Sequence, residues 1–348
     1  MGEQRTKRVS SLSQVFLLLS ELCQFRSLNM SSLSNVPYGK ILDYWYERLS
    51  NNPFQIKFLL TKIIEIIAFK KYSTKQNNNN YQYIDFPLPI ANNIPQNPTI
   101  SIVVPTYIKN QKDINDIENL LQSISKQSIS PNNVIIVDDC SPIEYSFPKH
   151  IQVYRQPENS GPAKARNFGK KIALENNSDV IAFTDTDCIL SKNWIEAIIS
   201  EFQNSKKAQI LSGNTISYDK NWFGIYHNIN GTLNGRKFIN SEQLLYGTTA
   251  NLAITRQVAE DVNFNEEFPL PAGEDIEFCF RANQNGFAIK YNSQMVISHN
   301  YGYTTNLFQN LKSFNRQFRR YGQGETTLLN EIPEYYAYFD KTEEITAL

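Results

Sequence analysis

From Thr99 onward, short apolar runs alternate with segments of helical period. "ISIVV" (100–104), "VIIV" (134–137), "IQVY" (151–154) and "VIAF" (180–183) have the length and β-branched content of buried strands. Between them, Asp113 to Lys126 places Ile114, Ile117, Leu120, Leu121 and Ile124 on one helix face. Pro162 to Glu175 does the same with Ala165, Phe168, Ile172 and Ala173. A third helix turns Trp194, Ile195, Ile198, Ile199 and Phe202 inward, with Ser191 as its predicted cap. Met295 to Ile297 is a further strand-like run, ending near His299. Strands alternating with helical crossovers predict an α/β fold: a doubly wound, mostly parallel sheet flanked by helices. Ligands of such sheets bind beyond the carboxyl ends of the strands. Three of these ends carry polar residues: Pro105-Thr106-Tyr107, Asp138-Asp139 and Asp185-x-Asp187.

Residues 1–95 follow a different pattern. They read as two or three helical patches, the clearest from Ile56 to Tyr72, and then as an Asn/Pro-rich linker, "KQNNNNYQY" and "FPLPIANNIPQNP". The expected organisation is an N-terminal helical extension with its linker over 1–95, a core domain over 96–330 and a C-terminal tail over 331–348. The extension reads as a docking region or as an amphipathic helix on a membrane surface.

Composition narrows the partners. The 348 residues are 41% apolar and hold 34 basic and 34 acidic side chains, so no global field draws the chain to nucleic acid or to an anionic membrane. Cys23, Cys140, Cys188 and Cys279 lie far apart without a CxxC pair, which points to free thiols in a reducing compartment. The apolar core Val15–Leu19 is too short for a secretion signal, and "MGEQRT" matches the myristoylation pattern only formally. No run reaches the ~20 apolar residues of a spanning helix. The expected location is cytoplasmic, at most peripheral to the inner face of the membrane.

Several clusters carry chemistry. Asp185 and Asp187, two apart in extended backbone, point to one side and repel unless a cation sits between them. Mg²⁺ or Mn²⁺ takes such oxygens and keeps positions open for phosphates; the plainer reading is a polar turn or cap. In "ENSGPAKARNFG" (158–169), Ser160 or Gly161 starts a helix whose free N–H groups favour an anion, and Lys164 and Arg166 add cationic reach. An ordinary capped surface helix would look the same. Neither GxGxxG nor GxxxxGK[ST] occurs. Glu274-Asp275 in "PAGEDIEFCF" reads equally as a helix cap and as a general base raised in pKa by its apolar rim. His299 is either structural or a nitrogen ligand beside Asp187, which would tilt the choice toward Mn²⁺. "NRQFRRYGQGE" (315–325) is a solvated basic helix end or a clamp closing on a diphosphate through Arg319 and Arg320.

Taken together, "ISIVVPTY", "VIIVDDCS", "ENSGPAKARNFG", "IAFTDTDC", "GTTANLAITRQV", "GEDIEFCFR" and "SHNYG" resemble the family 2 glycosyltransferases in order and spacing. The resemblance runs from Thr99 to about Glu325 and implies the GT-A fold, a nucleotide-diphosphate sugar donor and a role of the polysaccharide-biosynthesis kind. It implies that Pro105, Thr106 and Tyr107 line the nucleotide pocket and that Asp139 bonds the base. Arg166 would sit near base or diphosphate, and Asp185 near ribose and metal. Asp187 would ligate Mn²⁺ or Mg²⁺ directly, with His299 as a further ligand. Asp275 would be the catalytic base of an inverting transfer, with Glu274 helping to hold a glycan, lipid-linked or other hydroxyl acceptor. UDP-linked sugars are the default donor, with GDP- and dTDP-linked sugars as the open alternatives. "QFRRY" resembles the QxxRW signature of processive synthases, but Tyr321 replaces Trp, which implies single-sugar transfer. A metal-dependent nucleotidyltransferase would want a glycine- and lysine/arginine-rich loop where "PTYIKNQKD" stands. A non-catalytic nucleotide-sugar or glycan-binding protein on this fold would be signalled by loss of Asp187, Asp275 or His299, and all three are present.

Overall fold

The apolar runs do become strands. The computed structural model describes residues 83–268 and 271–347, together with Leu19, Ser20, Cys23, Gln24 and Ser27. The first half contains β1 (Ile100–Thr106), α1 (Gln111–Ser125), β2 (Asn133–Asp138), β3 (Gln152–Arg155), α2 (Pro162–Glu175) and β4 (Val180–Thr184). Next come β5 (Cys188–Leu190), α3 (Trp194–Asn204), β6 (Ala208–Ser217), α4 (Trp222–Asn230), β7 (Arg236–Phe238) and β8 (Leu244–Tyr246). The chain continues through β9 (Asn251–Thr255), α5 (Arg256–Asp261), α6 (Glu274–Gln284), β10 (Ala288–His299) and α7 (Leu307–Glu331). A 3-10 helix, Pro333–Lys341, leads into β11 (Thr342–Glu344). The helix expected over Ile56 to Tyr72 lies outside the described residues.

Eight strands form one sheet in the order β3-β2-β1-β4-β9-β6-β10-β5. Six run the same way; β9 and β5 run against their neighbours. This is the expected mostly parallel, helix-flanked α/β architecture. Its two faces follow from the period of two along each strand. Ile102 and Val104 pack with Ile117, Leu120, Trp194 and Ile198 on one side. Val103 packs with Val137, Ala163, Phe183 and Phe278 on the other. Burial of both faces is why the runs are continuously apolar rather than alternating.

Asn251 bolts the antiparallel strand into this core: it accepts from Trp194 Nε1 and donates to the Met295 carbonyl, both at 2.8 Å. One expectation fails. Helix α3 starts behind Asn193, which makes no side-chain cap bond. The two-residue turn at Lys192-Asn193 leaves Ser191 too far upstream to cap, and its carbonyl instead accepts the Trp194 N–H at 3.1 Å. The expected strand at 151–154 is present one residue later. In the C-terminal segment Tyr335 and Tyr338 are buried, and β11 pairs antiparallel with β7.

Helix α2 lies unusually close to the sheet because Gly169 faces it. A Cβ there would stand 2.4 Å from Val103 Cγ1 and 3.1 Å from Val137 Cγ2. Gly169→Ala is therefore expected to destabilise the fold by about 1–3 kcal/mol through overpacking, despite alanine's better helix propensity. Urea denaturation measures it, and a stabilised variant would contradict the close approach.

Candidate active site

Strand pairing gathers the polar strand ends. Thr106 of β1 is in register with Asp138 of β2, and β4 runs parallel on the other side of β1. Past Thr184 the chain turns through Asp185-Thr186-Asp187 into β5, which pairs antiparallel with the end of β10 so that Cys188 faces His299. That pairing sets His299 Nε2 3.3 Å from Asp187 Oδ1. Asn300 pins the turn from behind: its N–H donates to the Asp187 carbonyl and its Nδ2 to Asp116 Oδ1, both at 2.8 Å.

Gly273, at φ 92, precedes α6 and turns the chain so that Glu274 and Asp275 open the helix. Gly324 of α7 packs against this corner; a Cβ on it would stand 2.2 Å from the Ala272 carbonyl oxygen. The pair of glycines in "YGQGE" is thus half explained by contact with the α6 entry.

Arg166 is where the structure adds most to the sequence reading. Its side chain is buried and forks between two carboxylates: Nη1 donates to Glu274 Oε1 at 2.7 Å and Nη2 to Asp185 Oδ1 at 3.0 Å. The positive charge beside the first Asp of D-x-D therefore comes from α2 itself. Burial and the adjacent Glu274 charge push the Asp275 carboxyl up to about 7, while Arg166 pulls the other way. Asp275 Oδ1 also accepts the Ile276 N–H at 2.9 Å. Burial likewise raises Asp187, opposed by His299 and reinforced by Asp185. Asp187 keeps 33% of its side chain exposed, so this is the pull of a cleft wall rather than of a sealed interior.

These groups open on one cavity of about 370 Å³, lined by Arg166, Asp185, Asp187, Glu274, Asp275 and His299. Arg320 reaches it as well. Pro105, Thr106, Tyr107, Asp139 and Arg319 do not line it. The first four sit on the neighbouring strand ends, where Asp139 already accepts the Ser160 and Gly161 N–H groups, each at 2.8 Å, and so tethers the entry to α2. Tyr107 is exposed, with Lys109 Nζ 5.2 Å over its ring. Thr248 and Thr249, in the segment "YGTTAN", line the cavity. Sequence reasoning gave no role to Arg236, Tyr335, Glu344 or Gln24, which also line it. Arg236 and Glu344 meet through the β7–β11 pairing, and Gln24 donates to Glu325 Oε2 at 3.4 Å. No local motif announces such long-range walls.

The donor set fits a divalent cation. Ligand atoms of Asp187, His299 and the buried Cys188 lie within 4.8 Å of one another. The buried Nδ1 of His299 has no partner among the described residues, which leaves Nε2, facing Asp187, as the ring's polar outlet. A carboxylate with an imidazole suits Mn²⁺ well and Mg²⁺ acceptably.

A profile of the family described as "Glycosyl transferase family 2" matches residues 101–262. Over 180 residues the chain is 26% identical to the pre-mycofactocin glycosyltransferase of Mycobacterium tuberculosis (strain CDC 1551 / Oshkosh), covering 48% of this chain and 37% of that one. It is 38% identical over 116 residues to an uncharacterized glycosyltransferase of Haemophilus influenzae, covering 32% and 37%. The chain thus spans little more than a third of these relatives' length. Among solved structures, S. aureus TarS 1–349 in complex with UDP superposes with a TM-score of 0.46 at 20% identity, covering 63% of this chain and 65% of that one.

Proposed function

We propose, on the premise that residues 101–262 of this chain belong to glycosyl transferase family 2, that the protein moves a single sugar from a nucleotide-diphosphate donor to an acceptor hydroxyl with inversion. The observation that carries this reading is the Asp275 carboxyl, pushed up to about 7 in the same cavity as the Asp187–His299 pair. A base of that affinity is half-ionised near neutral pH and suited to taking a hydroxyl proton. As the acceptor oxygen attacks the anomeric carbon, its proton passes to Asp275. The bond from that carbon to the diphosphate breaks on the opposite face, and the nucleoside diphosphate leaves with the electron pair. Glu274, held by Arg166, fixes the corner from which Asp275 projects. Arg320 stands at the cavity edge to meet the diphosphate.

Asp187 and His299, with Asp185 behind them, would hold Mn²⁺ or Mg²⁺, which when bound neutralises charge on a departing diphosphate. Pro105, Thr106, Tyr107 and Asp139, on adjoining strand ends, are assigned the nucleotide, with UDP-linked donors favoured. The catalytic domain is assigned to 96–330, with 1–95 as an extension and 331–348 as a tail. A glycan or lipid-linked acceptor fits the reading, with the protein peripheral to the inner face of the membrane. No helix among the described residues is long and apolar enough to cross one.

Incubation with a panel of UDP-, GDP- and dTDP-sugars plus Mn²⁺ tests this. Nucleoside diphosphate should be released from one donor class, and chelation or Asp187→Ala should reduce release by ~10²-fold or more. Donor binding by calorimetry without release from any sugar would assign a binding protein instead. Release indifferent to chelation would remove the metal.

A further inference from the structure

Helix α7 buries Phe314, Phe318, Gly322 and Glu325 and turns a very different face outward. Phe308, Lys312, Arg316 and Arg319 recur at spacings of four, four and three, which stacks them along one side of a helix. Phe308 is 82% exposed and its neighbour Leu307 57%. Between Leu307 and Gly324 there are four cations, Lys312, Arg316, Arg319 and Arg320, and no acidic residue. None of the four forms an ion pair among the described residues, and together they line a shallow groove. The chain as a whole is neutral, so this is a local concentration of one sign. An ordinary solvated helix face mixes signs at these spacings. Here the stripe is uniformly basic and ends in the exposed Phe308, over roughly 16 Å of helix from Phe308 to Arg319.

We infer that this face of α7 docks on an anionic lipid surface. Phe308 enters the boundary between headgroups and acyl chains, and Lys312, Arg316 and Arg319 lie over lipid phosphates. A nucleic acid would use the cations but offers no apolar layer to take up the 82%-exposed Phe308. Arg320 touches both the basic groove and the cavity that holds Asp275, so docking sets the cavity's edge beside the lipid surface. Vesicle binding needs no donor and stands or falls apart from the transfer reading.

Sedimentation of the full chain with vesicles tests the inference. The protein should pellet with phosphatidylcholine vesicles containing phosphatidylserine, not with phosphatidylcholine alone, and should be released at ~0.5 M salt. Lys312→Glu/Arg316→Glu should weaken binding at least ~30-fold, and Phe308→Ser about tenfold. All three side chains are solvent-facing, so the variants keep the fold, which circular dichroism checks. Equal pelleting with both vesicle types, none with either, or binding unchanged in Lys312→Glu/Arg316→Glu overturns the inference. So does tight binding of polyuridylate that displaces the vesicles and ignores Phe308→Ser.

Discussion

Asp275→Asn is expected to abolish transfer and, in the same molecule, to raise stability at neutral and alkaline pH. The amide is isosteric but cannot take the acceptor's proton, so turnover should fall by ~10²–10⁴-fold. Donor binding, read by calorimetry, should persist because Asp275 is not assigned to donor or metal. The stability effect follows from the pKa. The folded carboxyl titrates near 7 against 3.8 for the free group, raised first by burial and then by Glu274. Between those two values the folded state keeps a proton that the unfolded chain has released, so stability declines as pH rises through the window. Above about 7 the charged carboxylate is a full net cost. Removing it should gain on the order of 1–2 kcal/mol near pH 8, discounted for the carboxyl's partial exposure, and nothing near pH 4. Wild-type turnover should drop about tenfold per pH unit below 7. Near-normal turnover in Asp275→Asn, or a loss of stability at pH 8, would defeat the assignment.

Much of the scaffold was legible because a strand buried on both faces must be apolar throughout. "ISIVV", "VIIV" and "VIAF" therefore announced β1, β2 and β4. The motifs around the cavity were legible for a related reason: Asp185-x-Asp187, Glu274-Asp275 and His299 are costly where they stand unless something uses them. What stayed hidden depends on contacts across long sequence separations. Arg166 and Glu274 are 108 residues apart, and nothing in "PAKARNFG" says its arginine is buried between carboxylates. Asp139 is implied to bond a base, but nothing in "VIIVDDCS" says that its two oxygens also accept the Ser160 and Gly161 N–H groups. Arg319 and Arg320 are neighbours in sequence but about 100° apart around the helix, so only the second reaches the cavity. Ser191 failed as a cap because a two-residue turn intervened, a spacing that pattern alone does not resolve.

Arg166→Leu should be the most destabilising single change at the site. Glu274 has only 4% of its side chain exposed and Asp185 30%, so loss of the guanidinium strands one carboxylate in the interior and another in the cleft. Removing one partner of a buried ionic network costs about 3–5 kcal/mol, because the remaining charge keeps its desolvation penalty. Most of that should trace to Glu274. Arg166→Lys restores a cation but not a fork that bonds two carboxylates at once, so it should recover only part of the loss. Arg166 also pulls the Asp275 pKa downward. In Arg166→Leu the inflection of the residual rate against pH should therefore move upward, while Arg166→Lys, which keeps the charge, should leave it nearly in place. The decisive arm is Arg166→Leu/Glu274→Gln, which removes the buried charge together with its partner. If the fork holds this corner by charge pairing, urea denaturation will show the double variant more stable than Arg166→Leu alone. If Glu274→Gln brings no rescue, the cost lies in the contact of the guanidinium with Phe264, over whose ring its Cζ stands at 5.9 Å, and not in the carboxylates.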